Sequence, residues 1–172
     1  MTPDNVSRDS AVVLKCELAS DVLRTFGTLR FAATGWSMLP TIWPNDTLVV
    51  ERVRPDQIHL GDIVLAHREN RLCAHRVISL PKQSANPQWI TQGDAMPAPD
   101  LPLRAEELLG RVVSLIRGED RFALSPKMGV IDNLIAITIR RSFFAARVLM
   151  YLHNLLPRGL QTPQEPEPSC QA

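Results

Sequence analysis

Ser37 stands in the run Thr34-Gly35-Trp36-Ser37-Met38-Leu39-Pro40-Thr41, directly after a strand-like segment and a glycine. A serine hydroxyl attacks a carbonyl only when a base removes its proton, so the chain must supply one. His67 and His75 both fall on strand-like runs. In Leu72-Cys73-Ala74-His75-Arg76-Val77-Ile78, alternation puts Cys73, His75 and Val77 on one face. A general base must carry a free imidazole nitrogen, and histidine is the side chain best suited to that near neutral pH. A histidine used only for packing is the plainer alternative. The run Thr91-Gln92-Gly93-Asp94-Ala95-Met96-Pro97-Ala98-Pro99-Asp100 follows another strand-like segment and adds two carboxylates, Asp94 and Asp100. A carboxylate on the Nδ1 proton fixes the tautomer and stabilises the imidazolium formed during attack, and either aspartate can fill that place.

Other chemistry has less support. Zinc requires three or four ligands, whereas Cys73 and His75 supply two, with His59 and His67 not arranged to complete the set. Cys16, Cys73 and Cys170 are odd in number and lack a CxxC, which argues against a disulfide framework and fits a reducing compartment. Arg68, Arg71 and Arg76 read as strand and turn surface charges, and Trp36 and Trp43 either wall a groove beside the serine or pack in the core. No cofactor is implied.

The elements that must position these residues fit one domain of 172 residues, 45% hydrophobic and 22% charged. A formal charge of +1 gives no global field for nucleic acid. No apolar run is long enough to span a bilayer, and no basic region followed by an apolar stretch opens the chain. Residues 1–9 are expected to be flexible. Residues 10–27 read as an amphipathic helix with Val13, Leu14, Leu18, Val22 and Phe26 on its apolar stripe and Gly27 as its stop. Residues 28–118 hold six strand-like runs, at 29–34, 47–53, 63–68, 71–80, 88–92 and 110–117, with Glu69-Asn70 as a tight hairpin turn. The expected fold is therefore mainly β. Residues 119–156 form a C-terminal helical segment whose stripe runs through positions 130, 134, 137, 141, 144, 148, 151 and 155. Arg140, Arg141 and Arg147 make it basic, so it packs on its own domain or a partner, or lies on a membrane surface. Residues 157–172, with their prolines and glutamates, read as a disordered tail.

Gly35-Trp36-Ser37-Met38-Leu39-Pro40-Thr41, then Gly61-Asp62-Ile63-Val64, then His75-Arg76-Val77-Ile78, then Gly93-Asp94 with Asp100, resembles the ordered boxes of the signal peptidase I and LexA-like serine peptidase superfamily. The resemblance covers residues 31–117. Many members use a Ser-Lys dyad; histidine in the base position resembles the archaeal and endoplasmic-reticulum type, read as Ser-His-Asp. It implies a signal-peptidase-like β domain with Ser37 as nucleophile, His75 as base, and Asp100, six residues past the Gly-Asp pair, as the acidic partner. Asp94 matches the aspartate of that pair, with orientation of His75 or a structural role both open. The Ser37 N–H matches the oxyanion donor, whereas Gly35 stands where some members place a second, hydroxyl donor.

The chain departs from the family upstream. Signal peptidases carry a membrane helix before the serine box, while Lys15, Glu17, Asp21 and Arg24 lie within the helix expected here; LexA-like repressors carry a DNA-binding domain that 36 residues cannot hold. The sequence thus points to a serine endopeptidase, cytoplasmic or peripheral at a membrane, acting on an extended protein or peptide segment. A catalytically inactive peptide-binding or partner-docking module of the same fold and a self-processing peptidase are the alternatives.

Overall fold

The computed structural model describes residues 3–68, 71–82, 86–126 and 129–141. An N-terminal helix α1 (Pro3–Phe26) leads into strands β1 (Thr28–Ala32), β2 (Thr47–Glu51), β3 (Ile63–Arg68), β4 (Arg71–Ser79), β5 (Gln88–Gln92), β6 (Leu103–Arg104), β7 (Leu108–Arg117) and β8 (Asp120–Ala123), followed by helix α2 (Val130–Arg141). The strands pair antiparallel in the order β1-β2-β7-β3-β4-β5-β6, with β8 added beside β7. The mainly β expectation agrees with this architecture.

Two strands escaped the sequence reading. β6 is two residues long, and β8 lies after Gly118 within the segment expected to be helical; it returns along β7 with Arg117 opposite Asp120. Helix α1 begins at Pro3, inside the segment expected to be flexible. Register pairs Arg68 with Arg71, while the Glu69-Asn70 turn, the chain beyond Arg141 and the expected tail lie outside the described residues.

The sheet carries apolar groups on both faces. Ile63 and Leu65 of β3 join Leu48, Val50, Val112 and Leu115 in one cluster, while Val64 and Ala66 face Ile58, Val77, Trp89 and Leu103 in another. This is why the β3 sequence is continuously apolar over Ile63–Ala66 instead of alternating.

Both helices pack by faces other than those the stripes indicated. On α1, Cys16, Ala19 and Leu23 are buried, Leu23 being 2% exposed, whereas Leu14, Leu18 and Phe26 are 64%, 61% and 73% exposed. The small residues Cys16 and Ala19 let the helix lie close to the sheet, which outweighs the larger side chains of the opposite stripe. Gly27 ends α1 as expected, at φ 74° with its N–H on the Leu23 carbonyl. On α2, Ala136 and Ile139 are buried and Leu134 and Ile137 exposed. That helix packs on its own β domain. No helix among the described residues is long and apolar enough to cross a membrane.

Candidate active site

Strand β1 ends at Ala32, and the chain then crosses to a turn that begins at Ser37 and closes with the Ile42 N–H on the Met38 carbonyl. Ser37 is therefore presented by a turn and not by the strand end expected from sequence. Met38 and Ile42 anchor this turn in the core beside Leu48. On β4, alternation sends Leu72 and Ala74 to the first cluster and Cys73 and Val77 to the second. His75 lies opposite Val64 in this strand.

His75 Nε2 lies 3.0 Å from Ser37 Oγ, and His75 Nδ1 lies 2.6 Å from Asp100 Oδ2. Both distances are within hydrogen-bond range, and the second is at the short, charge-assisted end. Asp100 owes its place to the segment that follows β5. Its N–H donates to the Thr91 carbonyl at 2.8 Å, and Thr91 Oγ1 donates to Asp100 Oδ2 at 2.8 Å, so residues 91–100 form a loop closed at its base. Burial pushes the Asp100 carboxyl up, but hydrogen bonds from His75 and Thr91, with the attraction of His75 and Arg68, outweigh it and hold the carboxyl below its ordinary value. The acid stays ionised where a histidine base works.

Asp94 sits elsewhere. Its carboxylate receives Arg76 Nε at 2.9 Å and Arg76 Nη2 at 2.8 Å, a bidentate pair, and Thr41 Oγ1 at 2.6 Å. Asp94 is 2% exposed, so this is a buried ion pair that ties the serine turn to the loop after β5. Arg76 also donates to the carbonyls of Gly61, Ser125 and Pro126. Its reading as a surface charge is corrected: Arg76 is buried at a junction of four chain segments. Neither the alternation of β4 nor the residue type signalled this burial, because the counter-ion Asp94 lies 18 residues away in sequence. Asp62, of the Gly61-Asp62 pair, accepts the His59 N–H at 2.8 Å and holds a turn.

The backbone completes the arrangement. The Ala95 N–H donates to the Ser37 carbonyl at 2.8 Å. A Cβ on Gly93 would stand 2.6 Å from that carbonyl oxygen and 3.1 Å from the Ser37 Cβ, so only glycine permits this approach. Trp36 and Trp43 pack around Leu39, Ala95 and Ile139, the core alternative of the two given for them.

Beside the serine is a cavity of ≈ 170 Å³ lined by residues that include Phe31, Ala33, Ser37, Leu72, Cys73 and Ala74. Burial is the largest influence on the Cys73 thiol there and, with Asp100 nearby, pushes its pKa up to about 11, which leaves it a poor nucleophile. His67 has a buried Nε2 without a hydrogen-bond partner among the described residues, and His59 Nδ1 lies 3.8 Å from Asp62. No group of three or more metal-ligating side chains occurs among the described residues. No protein-family model matches this chain, and no curated protein matches it.

Proposed function

We propose that the protein is a serine endopeptidase of the signal peptidase I and LexA-like type, with Ser37, His75 and Asp100 as its triad. The observation that carries this reading is the continuous relay from Ser37 Oγ through both ring nitrogens of His75 to Asp100, at 3.0 Å and 2.6 Å. In it, Ser37 donates its hydroxyl proton to Nε2 as Oγ bonds to the peptide carbonyl carbon. The imidazolium formed is balanced by the ionised Asp100, and Nε2 returns the proton to the departing amine. Water then attacks the Ser37 ester, with His75 again as the base, to release the acid and restore the serine. The Ser37 N–H is the oxyanion donor that the resemblance implies.

An extended substrate fits what surrounds the serine. β5 pairs with β4 from Arg76 to Ser79, leaving Arg71–His75 without a β5 neighbour, and β1 is the terminal strand of the sheet order. An extended peptide recognised through its backbone suits such edges. The ≈ 170 Å³ cavity favours a small apolar side chain beside the scissile bond. A cytoplasmic location belongs to the same proposal, and the free thiols Cys16 and Cys73 fit a reducing compartment.

Intact-mass analysis after exposure to a fluorophosphonate tests the reading. One adduct at Ser37 is expected in the wild type, none in Ser37→Ala, and a greatly slowed one in His75→Ala. A folded wild-type protein that forms no adduct and cleaves nothing in a library of extended peptides would instead be a peptide-binding module.

A further inference from the structure

Ser37 is held through its main chain as well as its side chain, and the hold passes through residues 93–95. The Ala95 N–H bonds to the Ser37 carbonyl, Gly93 lies directly against the same serine, and Asp94 between them is fixed at both ends. Arg76 and Thr41 take its carboxylate; its carbonyl receives Arg140 Nε at 2.8 Å. Arg140 belongs to α2, a helix with no part in the relay itself. In the same helix Ile139, the residue before Arg140, and Ile135 pack with Leu39 and Trp36 from the serine segment and with Ala95 from the other segment. α2 thus touches both segments whose mutual contact sets the position of Ser37.

We infer that α2 is a positioning element for the nucleophile and that Arg140 is its positioning residue. By bonding the Asp94 carbonyl, Arg140 keeps residues 93–95 seated against Ser37 and so keeps Ser37 Oγ within bonding distance of His75 Nε2. A misplacement of about 1 Å at a reacting group costs on the order of a hundredfold in rate, so a contact outside the relay has kinetic consequences. The catalytic consequence rests on the peptidase reading; the positioning itself is measurable without turnover.

The ¹⁵N resonance of His75 Nε2 reports the bond to Ser37, and Ser37→Ala supplies its value when that bond is gone. In Arg140→Ala the resonance should move toward the Ser37→Ala value, and the rate of fluorophosphonate labelling should fall by about tenfold or more. Arg140→Lys, which restores a donor, should return both toward wild type. An unchanged resonance in Arg140→Ala would overturn the inference. So would a lysine variant that recovers stability but neither the resonance nor the labelling rate, since Arg140 would then be structural only. If Arg140→Ala does not fold, Arg140→Met keeps the aliphatic stem and takes its place. A wild type that resists labelling would sink the peptidase reading, while the resonance comparison still decides the role of α2.

Discussion

Asp94 and Asp100 offer the same functional group within one loop, and their surroundings give them separate work. Asp100 faces a histidine and stays partly open to solvent, whereas Asp94 is enclosed with an arginine. Replacing Asp100 by Asn should leave the fold intact and lower the labelling rate of Ser37 by several orders of magnitude, since the amide favours the wrong histidine tautomer; about ten-thousand-fold is the loss in the serine-protease precedent. Replacing Asp94 by Asn should instead cost about 3 kcal/mol or more in stability, because Arg76 would keep a buried charge without its counter-ion. Urea titration and labelling rates on both variants separate the two roles. Asp100 also links stability to pH. Its folded pKa lies below the ordinary 3.8, so the unfolded chain binds more protons in the interval between the two values. The stabilisation from ionised Asp100 is complete above the unfolded value and is lost as pH falls through the lowered folded one. The stability advantage of wild type over Asp100→Asn should therefore narrow as pH falls below about 4. A constant difference down to pH 2 would contradict this assignment of the proton.

At the level of elements, the two helices show how periodicity finds a helix without choosing its packed face. α1 presents large apolar residues on the side that points outward and Cys16, Ala19 and Leu23 on the side that packs. The side chain that matters for stability is therefore Leu23. Leu23→Ala should cost about 2 to 5 kcal/mol, against about 1 kcal/mol or less for Leu18→Ala, as read from denaturant midpoints. Equal losses would mean that the stripe through Leu18 is packed. α2 repeats the pattern, with Ala136 and Ile139 inward and Leu134 and Ile137 outward. Small residues decide both cases: they contribute little to a hydrophobicity pattern but allow the close approach that packing rewards.

Across the whole molecule, β7 and β3 have strand neighbours on both sides, β1 has one, and the site spans the two environments: the serine turn follows β1, and His75 lies on β4 beside β3. Backbone amides of β3 and β7 should exchange slowest with solvent and those of β1 faster, by hydrogen-exchange mass spectrometry, so the serine side of the site is the softer one. Protection that is uniform from β1 to β7 would contradict this. Six of the strands and the mainly β class were legible because turn residues and β-branched runs act locally, over a few neighbours. The residue types at Ser37, His75, Asp94 and Asp100 were equally plain, since each carries its chemistry in its side chain. Sequence alone did not choose between Asp94 and Asp100, because that choice depends on Arg76 being enclosed opposite Asp94 and on Thr91 closing the loop beneath Asp100. Strand β8 and the packed faces of the helices were missed for a related reason. Local pattern determines which elements form, whereas their partners are set by burial and by hydrogen bonds between residues as far apart as Asp94 and Arg140, and only the tertiary structure brings those together.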